Sequence, residues 1–522
     1  MVAWRAMKPH HLLPDAPFAS YADYLAETGP SAVLRARELG PEAVLAEISR
    51  SGLRGRGGAG FPTAVKWRAI ADHPCSIRYV VCNAAEGEPG TFKDRFLLRR
   101  NPYATLEGML IAAEVASAHE LYVAVKASFG PELKRLRAAA AEMTAAGIVD
   151  DHVICFIEGP EEYLFGEEKA LLEVVEGNDP LPREAHNPPY EKGLFATATS
   201  PNPALVNNVQ TFAHVPSILR LGGDSFREIG TRDTPGTLLF TLSGDVQRPG
   251  VYELPAGIPL RRLFDEIAGG PRPGRRFKVA LSGVSSAVIL PERFDTPADF
   301  ASVHLAGASL GSAGFIVLDD TAWMPRVAQS LARFLYVESC NQCSACKHGL
   351  RAASSAIDEL FDPELATPDD IERALYGARS APQGNRCYLP VQGSIVVPNL
   401  LSSFRDEFTA QLATPDRPSA RYVVPVIVDF DEATSTFTYD LDRERKQPNW
   451  TYAEPAPPSL RPAAKPVSLG GPPRVPANVR LHPDVHDAVV KAAAQRGHEV
   501  ERVVNEALRA WVSRERNQEG KE

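Results

Sequence analysis

Long apolar runs are missing from this chain. A bilayer-spanning helix needs about 18–20 consecutive apolar residues, and no stretch of the 522 residues reaches that length. The opening residues Met1-Val-Ala-Trp-Arg-Ala-Met-Lys-Pro-His10 contain no apolar signal region. Neither direct membrane insertion nor secretion is expected, and the chain is assigned to the cytoplasm. Cysteine is scarce and odd in number, seven in all, and three crowd into Cys340-Asn-Gln-Cys343-Ser-Ala-Cys346. That suits metal ligation in a reducing compartment better than a disulfide framework. Cys75, Cys82 and Cys155 stand alone in the sequence and are expected as small buried hydrophobes. Excess positive charge is also absent. A net charge of −9 argues against nucleic-acid binding by the molecule as a whole and leaves room only for a small basic module. What remains is ordinary for a soluble protein, 44% hydrophobic and 23% charged, and the length implies roughly three or four domains.

Glycine is abundant in one place. Ser51-Gly-Leu-Arg-Gly-Arg-Gly-Gly-Ala-Gly-Phe-Pro-Thr-Ala-Val-Lys-Trp67 carries five glycines in nine residues, a basic pair and then a helix start with Pro62 in its first turn. Backbone without Cβ can turn with positive φ and bring its N–H groups close to an anion. A helix N-terminus beyond it adds a favourable dipole, and Lys66 a point charge. The stretch is expected to cradle a phosphate.

Residues 20–50 carry helical periodicity and are expected as a covering helix. Around them the chain alternates strand and helix: a strand at 77–82, a helix at 106–118, a strand at 121–125, a helix at 131–146 and a strand at 153–157. Such alternation predicts a doubly wound α/β domain with its ligand crevice at the strand C-terminal ends. One strand runs directly into Asn83-Ala-Ala-Glu86-Gly-Glu88-Pro-Gly-Thr-Phe-Lys93-Asp94-Arg95, a loop rich in carboxylates. Tyr163-Leu-Phe-Gly166-Glu167-Glu168 places two more acids before a helix, where dipole capping alone could account for them. Residues 178–203 are expected as a covering loop that closes on Val206-Asn207-Asn208. From 235 short strands take over, a β-grasp-like α+β module with nothing catalytic in it. Helices return at 323–412 and contain the cysteine cluster, which Cys387 joins from forty-one positions beyond Cys346. Three thiolates on one tight turn and a distant fourth suit a [4Fe–4S] cubane; a Zn site that recruits His348 is the alternative. A β-hairpin is expected at 421–440, a Pro-rich linker at 454–476, and a strand followed by two amphipathic helices from 478 to 513. So short a tail unit is expected to dimerise.

Together these motifs resemble the flavin-bearing, NADH-oxidising subunit of proton-pumping NADH:quinone oxidoreductases, a family shared with diaphorase subunits of NAD-dependent formate dehydrogenases and NAD-reducing hydrogenases. The resemblance covers roughly residues 30–412. The family's GRGGAGFPTGxKW is similar to residues 55–67, its NADExEPGTxKDR to 83–95, its GEExALLxxxEG to 166–177, its NNVET to 207–211 and its ESCGxCxPCRxG to 338–349. The resemblance implies FMN, a [4Fe–4S] cluster and NADH. Gly55, Arg56, Gly57, Gly58 and Lys66 would form the FMN phosphate site, with Phe61 beside the nicotinamide pocket. Asn83, Gly166, Asn207 and Asn208 would complete cofactor binding. Glu86 and Glu88 would be the catalytic pair that positions ribose or amide groups, Glu167 and Glu168 would shape the nicotinamide side, and Cys340, Cys343, Cys346 and Cys387 would hold the cluster.

Some positions depart from the pattern. Ala85 replaces a family acid, Asn187 and Tyr190 replace a Lys and a Phe that help hold NADH, and Asn341 and Ala345 replace Gly and Pro. A weakened nucleotide site would instead give a flavin/iron–sulfur relay or a redox-sensing regulator. The implied architecture is α/β multidomain: a Rossmann-like FMN/NADH domain (1–230), a β-grasp, SLBB-like domain (231–322), a helical iron–sulfur domain (323–414), a β-hairpin extension (415–453), a Pro-rich linker (454–474) and a tail (475–516). The tail, with Arg480-Leu-His-Pro483, resembles ribbon-helix-helix modules, in which Asn478 and Arg480 would face DNA; dimerisation without DNA is the alternative. The family works beside a thioredoxin-like [2Fe–2S] subunit and a larger redox subunit, and both are expected as separate partners.

Overall fold

The computed structural model describes residues 10–184 and 186–452, together with the backbone of 467–469. The ribbon-helix-helix-like tail and most of the Pro-rich linker lie outside the described residues.

Four strands, β1 (Tyr79–Ala84), β2 (Glu120–Lys126), β3 (Val153–Gly159) and β4 (Ala204–Asn208), form a parallel sheet in the order β3-β2-β1-β4. Their side chains alternate between two cores, as the period of two requires. Val80, Cys82, Leu121, Val123, Ile154 and Phe156 pack on one face; Val81, Ala124, Cys155 and Ile157 pack on the other. The crossover helices are Pro102–Ala116 and Gly130–Ala145. Pro102–Ala116 is buried along almost its whole length because helix Val209–Leu221 lies directly on it. A Cβ on Gly108 would meet the Phe212 carbonyl oxygen at 2.0 Å, so only glycine permits that approach.

The β-grasp module consists of β5 (Thr237–Gly244), β6 (Gly250–Pro255), β7 (Phe277–Ser282) and β8 (Gly314–Asp319), in the order β6-β5-β8-β7. Phe240, Ala280, Phe315 and Val317 face the module's own core. Val279, Leu281, Ile316 and Leu318 face the helical domain, so one small sheet serves two cores. That domain contains helices Met324–Glu338, Ser344–Glu359, Asp369–Ser380, Leu389–Ser403 and Arg405–Ala413. Gly349 and Gly377 let two of them touch backbone to backbone. The hairpin β9 (Ile427–Asp431) and β10 (Thr436–Tyr439) then returns to the first domain, where Phe430 and Phe437 pack against Phe92.

Three expectations are corrected. Residues 20–50 form three helices, Tyr21–Thr28, Ala32–Leu39 and Pro41–Ser51, because Gly29 (φ 96°) and Gly40 (φ 78°) break the periodic run. Inside the supposed linker, β11 (Val467–Leu469) pairs antiparallel with β3 at the edge of the main sheet. Cys82 and Cys155 are buried as expected, but Cys75 is half-exposed, with its Sγ 3.7 Å from Ser200 Oγ.

Candidate functional site

The glycine stretch is a tight loop between helices Pro41–Ser51 and Thr63–Ala71. Gly55 N–H donates to the Phe61 carbonyl at 2.8 Å and Thr63 N–H to the Leu53 carbonyl at 2.9 Å, which folds residues 56–60 into a tip. At the tip Gly58 has φ 134° and Gly60 φ 62°, conformations that side chains other than glycine rarely adopt. A Cβ on Gly58 would meet nothing nearer than the Gly311 backbone at 3.9 Å, whereas one on Gly57 would sit 3.2 Å from Asn208 Cβ. The tip therefore stands against the C-terminal end of β4, and its backbone faces a cavity of about 1010 Å³.

Gly55, Gly57, Gly58, Phe61, Lys66, Asn83, Glu86, Glu88, Gly166, Glu167, Glu168, Asn207 and Asn208 all line this cavity. Of the expected cofactor contacts, only Arg56 is not among them. Its side chain turns inward and is buried, with Nη2 donating to the Pro235 carbonyl at 2.5 Å while its backbone N–H donates to Thr211 Oγ1. Burial, then the neighbouring Arg54, lowers its pKa to about 9. Arg56 thus braces the loop from behind.

Each acid has a protein partner. Glu86 accepts the N–H groups of Asp94 and Arg95 at the start of helix Lys93–Arg100, at 3.0 and 3.3 Å. Glu88 accepts Val284 N–H at 2.7 Å and the Tyr163 hydroxyl at 2.5 Å. Burial raises both carboxyls above their ordinary range. Glu167 caps helix Glu168–Val175 by accepting from Lys169 and Ala170 N–H, and burial lifts its pKa to about 7. Glu168 accepts from Lys66 at 2.5 Å. Asn83 spans the crevice by donating to the Gly166 carbonyl at 2.8 Å.

Several lining residues do not stand out in the sequence. Lys93 is buried, donating to Asp94 Oδ1 at 2.6 Å and Asn208 Oδ1 at 3.2 Å, and Asn208 donates in turn to Asp94 at 2.6 Å. The motif at 83–95 contains Lys93 and Asp94, yet nothing local marks them as inward-facing. The β-grasp module, in which nothing catalytic was expected, supplies Ser285, Phe300, His304 and Ser312 to the lining. Only the tertiary fold brings its loops over the glycine tip. Of the covering loop, Pro188 and Pro189 line the cavity, while Tyr190 packs against the main core.

Beside this cavity is a second, small one lined by Cys340, Cys343, Cys346 and Cys387, with Leu164, Ser339, Arg386, Leu389 and Pro390. Cys343 precedes helix Ser344–Glu359 and Cys346 lies in its first turn, so two thiols share a positive helix end. Burial pushes the Cys346 thiol to about 11 and Cys387 further still. Buried thiols of this kind lose their protons on binding metal. Four thiols lining one small cavity are the donor set of an iron–sulfur cluster, as the glycine tip suits a phosphate.

Sequence comparison agrees with this geometry. Residues 48–217 match the Nuo51 FMN-binding domain, 239–289 the SLBB domain and 326–411 the NADH-ubiquinone oxidoreductase-F iron-sulfur binding region. An NADH-quinone oxidoreductase-F protein of Rhizobium meliloti is 36% identical over 384 residues, 72% of this chain and 90% of that protein. Its Aquifex aeolicus counterpart is 33% identical over 416 residues, 78% of this chain and 93% of its own. The chain belongs to the NADH-quinone oxidoreductase-F family. An NAD+-reducing [NiFe]-hydrogenase structure is also similar, with TM-score 0.67 and 32% identity over 76% of this chain and 67% of that one. As a member of the oxidoreductase-F family the chain is an NADH-oxidising subunit of a multisubunit redox complex, with FMN and a [4Fe–4S] cluster as cofactors. Iron–sulfur thus prevails over zinc, and NADH oxidation over the relay or regulator.

Proposed function

We propose that the large cavity holds FMN and NADH together and that the chain passes their electrons through the adjoining thiol-lined cavity to separate partner subunits. The observation that carries this is shared walls: Leu164, Cys387 and Leu389 line both cavities. FMN supplies the conversion of a hydride into single electrons and the cluster their exit. The chain's own residues bind and orient. Gly55, Gly57 and Gly58 offer backbone to the FMN phosphate, backed by Lys93 and by Asn208 at the start of helix Val209–Leu221. Asn83, Asn207 and Gly166 border the ring system, and Phe61, 45% exposed at the mouth, offers a stacking face. Glu86 and Glu88 hold the acidic loop in register and present their remaining lone pairs to ribose or amide groups. Glu167 and Glu168 shape the nicotinamide side, with Lys66 held on Glu168. Cys340, Cys343, Cys346 and Cys387 ligate the cluster.

The acceptors are a thioredoxin-like [2Fe–2S] subunit and a larger redox subunit. What supports this is kinship with components of two multisubunit systems, the quinone oxidoreductase and the hydrogenase. Among the described residues no helix is long and apolar enough to cross a membrane. Kinship with a subunit of the quinone oxidoreductase supports a cytoplasmic, peripheral component.

The test is anaerobic mixing of reconstituted protein with NADH, following flavin absorbance and the cluster's paramagnetic signal. Rapid flavin bleaching and then cluster reduction are expected. Response to dithionite alone would overturn the assignment. Glu86→Gln is expected to weaken NADH binding or slow bleaching; no change in either removes Glu86 from the nucleotide site.

A further inference from the structure

The iron–sulfur family match ends at residue 411, yet the chain continues and crosses both cofactor regions. It first follows helix Met324–Glu338, where Ser330 donates to the Tyr422 carbonyl at 2.6 Å. It then reaches the acidic loop of the flavin cavity. There the Pro425 carbonyl accepts Gly90 N–H at 2.7 Å, and the buried Arg95 guanidinium donates to the carbonyls of Ile427 and Val428 at 2.6 and 2.8 Å. After the hairpin it returns to the thiol loop. Arg443 donates to Glu338 Oε1 at 2.9 Å and to the Glu161 carbonyl at 2.8 Å, and Lys446 donates to both Glu338 oxygens at 3.0 Å. Arg333 holds the Glu444 and Lys446 carbonyls at 3.1 and 2.9 Å.

Glu338 is wholly buried, two residues before Cys340, and its second oxygen also accepts Tyr163 N–H at 3.0 Å. Asn341, between the first two thiols, has φ 61°. Asparagine is among the few residues that accept this conformation. Its side-chain amide donates to the Pro448 carbonyl at 2.8 Å, a contact glycine could not make. The departure from the family's Gly at this position and the chain beyond the family match therefore meet in one hydrogen bond.

We propose that residues 425–452 are a strap that fixes the cluster loop relative to the flavin cavity, with Asn341, Arg443 and Lys446 as its positioning residues. Breaking a buried ion pair by removing one partner is strongly destabilising locally, so the strap holds Glu338, and with it the start of the thiol loop, in one place. The Lys446 ammonium also places a buried positive charge on Glu338, two residues before Cys340. Net charge and hydrogen bonding around an iron–sulfur cluster set its potential. Loss of that ammonium makes the cluster harder to reduce.

The proposal rests on the four thiols being the cluster ligands. The test uses the reconstituted full chain with Asn341→Gly, Lys446→Met and, as a control on that assignment, Cys387→Ser. Iron and sulfide content, the paramagnetic spectrum of the dithionite-reduced cluster, its midpoint potential and its rate of loss to a chelator are measured beside flavin content. Asn341→Gly is expected to keep full flavin and NADH-driven bleaching but to alter the cluster spectrum and speed iron loss several-fold. Lys446→Met is expected to shift the potential to more negative values. An unchanged spectrum and iron-loss rate in Asn341→Gly overturns the strap, whether or not Lys446→Met folds. Retention of an unaltered cluster by Cys387→Ser instead overturns the ligand assignment beneath it.

Discussion

The Tyr163 hydroxyl donates to Glu88 Oε2 at 2.5 Å, and the same hydroxyl oxygen accepts from Gln392 Nε2 at 2.7 Å. Through this one side chain the acidic loop after β1 is tied to helix Leu389–Ser403 of the iron–sulfur domain. The Tyr163 ring packs edge-on against Phe334, with centroids 5.4 Å apart, so its position is set on three sides. Burial and the adjacent Glu88 raise the phenol's pKa well above its ordinary value, which keeps it a hydrogen-bond donor at any physiological pH.

Tyr163→Phe therefore removes a partner from two buried groups at once. A buried polar group left unsatisfied costs about 1–3 kcal/mol, so chemical unfolding of the variant is expected to show a loss of that order. Because Glu88 and Tyr163 share the interaction, Tyr163→Phe combined with Glu88→Gln is expected to lose less than the sum of the single changes, by about 0.5–3 kcal/mol. Strict additivity in the cycle would mean that the hydrogen bond contributes nothing to the domain junction.

The glycine tip gives a second prediction. Gly60 has φ 62°, and a Cβ there would meet the Phe300 ring at 2.9 Å. Gly60→Ala is expected to push Phe300 aside and cost about 1–2 kcal/mol from the backbone conformation alone. Since both residues line the cavity, bound FMN is expected to fall about tenfold in affinity. Fluorescence titration of the apoprotein with FMN measures this. Adding Phe300→Ala should recover the steric part and leave the backbone part, so partial rescue is the expected outcome.

Much of this site could be read from sequence where chemistry and local geometry coincide. The glycine tip, the four thiols and the carboxylate loops each announce themselves, because spacing along the chain fixes what neighbours in space can do. Lys93 and Tyr163 could not be found that way. Lys93 reads as an ordinary helix residue, and only the pairing of β1 with β4 brings Asn208 to it. Tyr163 reads as an aromatic beside two acids, and its partners Glu88 and Gln392 lie 75 and 229 positions away. Arg56 misled for the converse reason. A basic residue within a phosphate-type loop points outward by analogy, but the loop's rear packs against Thr211 and Pro235, whose carbonyl takes the guanidinium. The β-grasp module likewise carries no motif that sequence could flag, since Ser285, His304 and Ser312 are scattered along it; its contribution is to cover one side of the cavity.

Acidity provides a third test. Burial raises Glu167 from an ordinary 4.5 to about 7, outweighing the backbone N–H groups it caps. For a carboxyl whose folded pKa is raised, the folded state binds the proton more tightly than the unfolded state. Its contribution to stability is present below about pH 4.5 and is lost as pH rises to about 7. At 1.36 kcal/mol per unit the upper bound is about 3 kcal/mol. Glu167→Gln keeps an oxygen for the helix cap and carries no charge. Unfolding of the apoprotein at pH 5 and pH 8 is therefore expected to show the variant gaining on wild type at the higher pH. Parallel curves for the two proteins would place Glu167 in solvent rather than in the cavity wall.

The sharpest division of function is expected at Cys387. It lines both cavities, and its neighbours Tyr388 and Leu389 continue the wall of the larger one. Oxygen in place of sulfur is a poor iron ligand, whereas the two side chains have nearly the same volume, so the flavin side should be little disturbed. Cys387→Ser is expected to lose most of its iron and acid-labile sulfide while keeping FMN near wild-type content. NADH should still bleach the flavin rapidly, but reoxidation through the partner subunits should fall by at least tenfold. Stopped-flow absorbance with and without the partners separates the two steps. Loss of flavin together with iron would mean that the two cavities fold as one unit, with the cluster acting as a structural keystone as well as an electron exit. Retention of FMN with a slow second step would locate the role of Cys387 after hydride transfer, where the shared wall between the cavities places it.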